Sequence, residues 1–437
     1  MWIELIGILL GIILIIVLSV KGVNIVISAA LSSIIIILTN HMSLTQALLG
    51  GQKSYMASLG GYIIAYLPIF VLGSVLGKYL EEGKATLTIA NTIFKLVGKN
   101  NPYAVLIAVA AVSTLLTYGG ISLFIVIFTI VALARPIFKE MNLPWRLVMA
   151  SLVAGGTTFT MTTLPGTPSI QNVIPTTTLR TTLTAAPLLS IIVTIITIII
   201  NLFYLKWELK KATAAGEHYV EQGQVIEVDN NQELPGLLIS MLPIISLIII
   251  ILVGSKMKIP NIILPALIVS ILLAAALLNK YIPNQLKTLN TGVINSLNPA
   301  LFTAAAVGIG GVVTLSPGFR IIQQAMSQIP GGTLVQVPVI TGFLSMVTAS
   351  ASGALGIVMP AFGAKWVATG ISPEVVHRIS AIASATYSAM PHSGFIFSCM
   401  AVFGLSHKEV YKPIFFMSLL SGTFTLIIAM LLARVLY

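Results

Sequence analysis

Residues 188 to 205 read LLSIIVTIITIIINLFYL, with no charge in the run. That length matches one helical crossing of a hydrocarbon layer ~30 Å thick. Just before it, residues 157 to 169 read TTFTMTTLPGTPS, where two prolines and a glycine interrupt another apolar stretch. Together they set the fold: lipid-crossing helices, some of them broken at depth. The opening residues 6 to 20, IGILLGIILIIVLSV, repeat the first kind of stretch. Transmembrane β-strands alternate over ~10 residues and do not generate such runs. Of 437 residues, 57% are hydrophobic and 8% charged, against about 25% charged in a soluble domain. A mean hydropathy of +1.02 along the chain excludes both a soluble globule and a single-anchor protein. The composition predicts an all-α polytopic membrane protein.

Ten segments are apolar and long enough to cross: about 2–20, 22–39, 60–79, 147–180, 185–205, 236–254, 260–279, 297–316, 376–404 and 413–433. Residues 103–134 and 334–364 are too long for one span and too short for two. Each is broken by a small polar cluster, Thr117-Tyr118-Gly119-Gly120 and Ser350-Ala351-Ser352-Gly353, and reads as a re-entrant hairpin. Two of the ten spans carry similar breaks, Thr163-Leu164-Pro165-Gly166-Thr167 and Ala389-Met390-Pro391-His392-Ser393. Residues 206–235 form a polar linker holding half of the twelve acids, so 1–205 and 236–437 become two halves of five spans and one hairpin each. An odd number of crossings inserts the second half upside down, giving inverted-topology repeats.

An N-terminus outside a bacterial-type plasma membrane, with the C-terminus on the same side, leaves 15 Lys and Arg in the cytoplasm and 8 outside. Arg135 and Arg146 fall on the inner side, and Lys53, Lys365 and Arg378 on the outer. The first span has neither a basic n-region nor a cleavage site and reads as retained. The net charge of +11 is scattered singly between apolar runs, so it marks topology and not nucleic-acid binding. Cys399 is the sole cysteine, which rules out a disulfide or Cys-based metal site within one chain.

No acid falls at mid-depth, and neither H-E-x-x-H nor a Walker run is present, so the sequence predicts no enzyme, no cofactor and no metal site. What remains is hydroxyl and glycine at four breaks. Residues 157–184 hold thirteen Ser or Thr in twenty-eight positions. A proline break strands carbonyls that suit a cation, and the half-helix after it offers free N–H groups that suit an anion. Interhelical packing is the competing reading of so many small hydroxylated residues. His392 is the one ionisable side chain expected near mid-depth, so it is the candidate proton carrier, with a neutral structural histidine as the alternative. His377 and Arg378 are expected at the outer mouth of their span, snorkelling to the interface.

The run Gly73-Ser74-Val75-Leu76-Gly77-Lys78-Tyr79-Leu80-Glu81-Glu82-Gly83, followed by Ala90-Asn91-Thr92-Ile93, resembles a signature of the gluconate permease family. Leu164-Pro165-Gly166-Thr167-Pro168 resembles that family's first helix break, and Gly404-Leu405-Ser406-His407-Lys408-Glu409 its run before the last span. The resemblance implies a secondary transporter of the ion transporter superfamily, built from inverted repeats with hairpins, often dimeric, moving organic acids such as gluconate with protons. Gly166 and Thr167 stand where the family often has a histidine, which adds a short hydroxy- or keto-monocarboxylate as an alternative cargo. The expected partners are thus a small organic anion plus a proton, or sodium, together with the bilayer and a second copy of the chain. The expected ligands are Thr117, Gly119, Thr163, Gly166, Thr167, Ser350, Ser352, Gly353 and Ser393, with His392 as the proton-coupling group.

Overall fold

The computed structural model describes residues 2–21, 23–51, 53–98, 101–224, 233–391 and 393–437. Its elements before the linker are α1 (Trp2–Val20), α2 (Ile25–Thr39), α3 (Leu44–Leu49), α4 (Tyr55–Glu82), α5 (Ala85–Val97), α6 (Pro102–Tyr118), α7 (Leu123–Glu140), α8 (Leu147–Gly156), α9 (Ile170–Leu179) and α10 (Pro187–Ala214). After it come α11 (Leu237–Lys256), α12 (Ile263–Leu277), α13 (Gln285–Leu315), α14 (Pro317–Ser327), α15 (Thr333–Thr348), α16 (Ala351–Val358), α17 (Ala364–Val367), α18 (Pro373–Ser388), α19 (Gly394–Phe403), α20 (His407–Ile414) and α21 (Ser421–Leu436). A π-helical turn, Met359–Gly363, joins α16 to α17, and a second, Phe415–Leu420, joins α20 to α21. Five helical stretches, α4, α10, α11, α13 and the continuous 407–436, are long and apolar enough to cross a membrane.

Polarity is inside out, as lipid requires. On α10, Ser190, Thr194, Thr197 and Asn201 are buried, whereas Ile191, Ile195, Ile199 and Phe203 face outward, Phe203 at 70% exposure. In water that outer stripe would cost free energy at every residue; in hydrocarbon it is at rest and the inner hydroxyls need partners. Most find them within the chain: Ser190 donates to the Ala185 carbonyl at 3.3 Å, Thr197 to the Val193 carbonyl at 2.8 Å, and Asn201 to the Ala154 carbonyl at 3.1 Å and the Thr158 hydroxyl at 2.8 Å, while the Thr194 hydroxyl has no partner among the described residues.

The longest helix, α13, is also the most buried of the five, and α4 lies along it in the most extensive helix pairing among the described residues. Close approach depends on missing side chains: a Cβ on Gly292 would fall 2.7 Å from the Val75 backbone, and one on Gly311 2.1 Å from the Ser58 hydroxyl. Ser54 begins α4 by accepting from the Ala57 N–H at 3.1 Å, and Asn284 begins α13 by accepting from Lys287 at 2.9 Å. Around this pair, α2 packs on α13 and α12 on α4; α1 packs on α2 and α11 on α12; α6 packs on α8 and α15 on α18; and α10 packs on α21.

One end of the long helices carries the linker. There Tyr79 donates to the Gln285 carbonyl at 3.3 Å, Thr88 to that of Pro235 at 3.1 Å, and Trp145 to that of Phe403 at 3.0 Å. Glu208, buried at the end of α10, joins Arg146 at 2.5 Å and Lys412 at 2.6 Å. Lys139 pairs with Glu221 at 2.9 Å, which holds that carboxyl below its usual range, and Lys280 pairs with Glu233, which holds that ammonium above its own. The linker is shorter than expected, because α10 continues to Ala214 before it ends. At the far end, Asn40 donates to the Glu4 carbonyl and accepts from Gly318, both at 3.1 Å, and Thr333 meets Thr369 at 2.9 Å.

The four expected interruptions are present, with shifted edges. The first hairpin turns at 119–122 after Tyr118, so Thr117 lies in the last turn of α6. The second turns at 349–350, and Ser352 and Gly353 belong to the first turn of α16. The gap between α8 and α9 runs over 157–169, wider than the five residues read from sequence, while α18 ends at Ser388 and α19 begins at Gly394, with His392 between them outside the described residues.

Candidate functional site

The first gap is built by the residues that open it. Pro165 and Pro168 have no N–H to give, and Gly166 takes φ +82°, a left-handed conformation that favours glycine. Its N–H donates to the Leu183 carbonyl at 3.0 Å, so the loop after α9 folds back onto the gap. The first hairpin meets it there: Thr117 donates to the Thr160 hydroxyl at 2.9 Å, and Tyr118 to the Pro165 carbonyl at 2.9 Å. Gly119 packs instead against α11, where a Cβ would fall 2.8 Å from Ile244. Thr158, Thr160 and Thr163 give their hydroxyl protons to Ala154, Gly156 and Phe159 of the preceding turn at 2.9, 3.1 and 2.8 Å. Thr167 is fully buried.

A charge lies under this gap that the sequence reading placed elsewhere. His377 and Arg378 are both 0% exposed, not snorkelling at an outer mouth. The stranded carbonyls explain the difference, since they solvate the guanidinium in place of water. Arg378 Nε donates to Ala185 O at 3.2 Å, Nη2 to Ala185 O at 2.9 Å and Leu183 O at 3.5 Å, and Nη1 to Asn172 Oδ1 at 3.2 Å and to Thr162 O. Asn172 in turn donates to Thr167 O and Leu183 O, both at 2.9 Å. His377 bridges Asn172 Oδ1 at 2.9 Å and the Thr181 hydroxyl at 2.7 Å. The nearest acid on the same helix, Glu374, accepts from Ala186 N at 2.9 Å and forms no ion pair with Arg378 among the described residues. The gap therefore sits over a desolvated positive charge whose direct partners are carbonyl and amide dipoles, with the Glu374 carboxylate acting from beyond ion-pair distance.

The second tip and second gap are looser. Ser350 caps α16 by accepting from Gly353 N at 3.1 Å, stands 3.5 Å from the Ser352 hydroxyl, and its carbonyl accepts from Thr348 at 3.1 Å. Gly353 lies close to Ala306 of α13, which a Cβ would approach to 3.4 Å. Ser350 borders an apolar cavity of about 420 Å³ shared with Gly394 and Phe397, which brings this tip beside the start of α19. Ser393 N donates to Met390 O at 2.9 Å, and the Pro391 carbonyl faces His407 Nε2 at 3.0 Å. His392 lies outside the described residues. The nine expected ligands thus fall into two groups: Thr117, Thr163, Gly166 and Thr167 around the first gap, and Ser350, Ser352 and Gly353 at the second tip. Gly119 and Ser393 stand at their margins.

A feature absent from the sequence reading is a tyrosine series on α4. Tyr55, Tyr62 and Tyr66 are all buried, and seven- and four-residue spacings put them on one helix face. Tyr66 meets the Thr177 hydroxyl at 2.9 Å. The hydroxyls of Tyr55 and Tyr62 have no hydrogen-bond partner among the described residues, and that of Tyr62 lies beside Thr303 and Ser352. Tyr62 and Tyr66 line a cavity of about 540 Å³ that also reaches Lys53 and Lys365 at the far end. The recognisable signal was three phenols repeating on one face of a spanning helix, each needing a partner that lipid does not supply.

Hydroxyl-rich interruptions inside a bundle of lipid-facing helices suit passage of a polar solute, and the sequence comparison agrees. Residues 3–435 match the model of the GntP family permeases. The chain belongs to this family. Its members are transporters, not enzymes, and the bundle is accordingly a secondary transporter of a small solute, seated in a membrane by several crossings. Among relatives of this permease, an uncharacterized transporter of Bacillus subtilis, YxjC, is 31% identical over 95% of this chain and 96% of its own. An uncharacterized transporter of Haemophilus influenzae is 20% identical over 81% of each chain. The YdaH transporter of Alcanivorax borkumensis, 14% identical, superposes with a TM-score of 0.58 over 87% of each chain, a likeness of fold.

Proposed function

We propose that this permease imports a small organic carboxylate, gluconate-like or a short hydroxy- or keto-monocarboxylate, by proton symport. The observation that carries the reading is Arg378, a buried cation without an ion-pair partner among the described residues, directly beneath a gap lined by hydroxyls and backbone. Such a site stabilises a negative charge without a surface lysine having to follow it inward. Thr117, Thr163, Gly166 and Thr167 on one side, and Ser350, Ser352, Gly353 and Ser393 on the other, hold the carboxylate, with Gly119 shaping the first turn. His392 carries the proton; one proton with a monocarboxylate crosses without net charge, so the proton gradient drives accumulation, and each further cation crossing with the pair draws ~2.3 kcal/mol per 100 mV from the membrane potential.

The frame for this is a pair of inverted repeats, 1–205 and 236–437, with re-entrant hairpins whose tips meet the gaps. Support comes from the duplicated pairings: α1 with α2 as α11 with α12, α6 with α8 as α15 with α18, and α2 with α13 as α12 with α4. The linker end then faces the cytoplasm of a bacterial inner membrane and both termini lie outside, in line with the excess of Lys and Arg around the linker. A homodimer is part of the same reading.

Uptake of a panel of labelled sugar acids, hydroxy acids and keto acids into proteoliposomes, with and without an inward proton gradient, tests it. Accumulation of one carboxylate driven by the gradient is expected, with loss of its pH dependence in His392→Ala; no accumulation of any of them defeats the reading. One observation favours sodium as the coupling ion instead. Thr158, Thr160 and Thr163 give their protons to carbonyls, so each oxygen keeps a lone pair suited to a cation, even though Thr158 and Thr160 already accept from Asn201 and Thr117. Replacing external sodium by choline separates the two.

A further inference from the structure

The cavity between α4, α13 and the outer part of the second hairpin is not one of the four interruptions, yet it is built like a binding site. Its walls include Lys53, Ser58, Tyr62, Tyr66, Thr314 and Lys365, and it encloses about 540 Å³, space for a molecule of several carbon atoms. Lys53 and Lys365 come from different walls, the loop before α4 and α17, and neither has an ion-pair partner among the described residues. The backbone around Lys53 is held tightly: it adopts φ +74°, and its carbonyl lies 2.8 Å from where a Cβ on Gly311 would be. Lys365 follows directly on a π-helical turn that opens with Met359 and Pro360, a feature common at functional sites. At the inner end stands the Tyr62 hydroxyl, 4% exposed as a residue and beside Thr303 of α13 and Ser352 of the second tip, with no partner at full hydrogen-bond geometry among the described residues.

We propose that this cavity is a vestibule that captures small organic anions from the far end. The two ammonium groups focus the field in a cleft with low-dielectric walls and raise the local concentration of anions over cations. The Tyr62 hydroxyl then donates to one carboxylate oxygen and delivers it to Ser352 and the N-terminus of α16. Tyr55 and Tyr66 extend the same face. The inference rests on the carboxylate reading for the identity of the cargo; the preference for anions is a property of the cavity and is measured without a substrate.

The native chain makes that measurement simple, because its single thiol, Cys399, is buried. In a Ser58→Cys variant, labelling rates are taken with an anionic sulfonatoethyl and a cationic trimethylammonioethyl methanethiosulfonate, each divided by its rate with free 2-mercaptoethanol. We expect the anionic reagent to be favoured about tenfold, and the preference to vanish in Ser58→Cys/Lys53→Gln/Lys365→Gln and in ~1 M salt. Equal normalised rates, a preference that survives loss of both lysines, or no labelling at all would overturn the vestibule. Should Ser58→Cys not elute as a folded protein, Thr314→Cys takes its place. A Tyr62→Phe variant is expected to raise the KM for the transported carboxylate several-fold with kcat kept; an unchanged KM removes Tyr62 from the path. Absence of carboxylate uptake by the unaltered protein, with the labelling preference intact, counts against the proposed cargo and not against the vestibule.

Discussion

Two arginines are buried in this protein to nearly the same depth, Arg378 at 0% exposure and Arg135 at 5%, and they are held in opposite ways. Arg378 donates from all three of its nitrogens into carbonyl and amide oxygens. Arg135, near the linker end of α7, has no hydrogen-bond partner for any of its three among the described residues and rests over the Trp145 ring at 4.6 Å. Burial alone therefore says little about what a charge contributes. Around Arg378 backbone carbonyls are aimed at the cation, whereas Arg135 has an aromatic face and the more distant charge of Glu221.

The strongest way to break this comparison is Arg378→Met. It leaves the carbonyls of Thr162, Leu183 and Ala185 without their donors, and a loss of about 3–5 kcal/mol is expected, read as a fall in thermal midpoint in detergent together with loss of transport. Asn172→Leu removes two donors and the acceptor shared by Arg378 and His377, with an expected cost of about 2–3 kcal/mol. Glu208→Gln weakens the carboxylate shared by Arg146 and Lys412, and about 1–2 kcal/mol is expected, since Arg146 keeps Glu217 at 2.6 Å. Arg135→Met sharpens the contrast: the lost cation–π contact and the relief of an unpaired buried charge offset each other, so stability should stay within about 1 kcal/mol. A drop as large as that of Arg378→Met would erase the distinction. The smallest effect concerns pH. Because Lys139 lowers the Glu221 carboxyl, their pair contributes above the ordinary carboxylate range and is lost as pH falls through the lowered value. Limited proteolysis of the linker should quicken there, and Glu221→Gln should abolish that pH step.

What was legible in the sequence is what is local. Gly119, Gly120, Pro165, Pro168 and Pro391 each remove or redirect backbone hydrogen bonds within a few residues, so the interruptions could be located, although the first gap opens six residues earlier than was read. The membrane class was legible for the same reason, in runs of side chains that water would not tolerate, and five of these are long apolar helices among the described residues. Arg378 was misplaced because its partners, Asn172 and the carbonyls of Thr162, Leu183 and Ala185, lie some two hundred positions earlier in the chain, and nothing near it announces them. Arg135, taken as a topology mark, hides for a similar reason, since Trp145 reaches it across a turn. The tyrosines of α4 were overlooked because a phenol in an apolar helix reads as bulk until its hydroxyl is found without a partner. The candidate ligands occupy an intermediate position: the contacts of Thr117 with Thr160 and of Gly166 with Leu183 gather the first group, while the second gap is tied only through Pro391 to His407.

The π-helical turn between α16 and α17 amounts to one residue too many in an otherwise regular spiral. Excising a single position from 359–363 would let the spiral close, swinging everything downstream by about 100° around its axis. Lys365 would then point away from its opposite number across the cleft. One extra position in that spiral is thus enough to aim Lys365 into the cleft, and its removal in the laboratory would turn that charge away without altering a single side chain that remains.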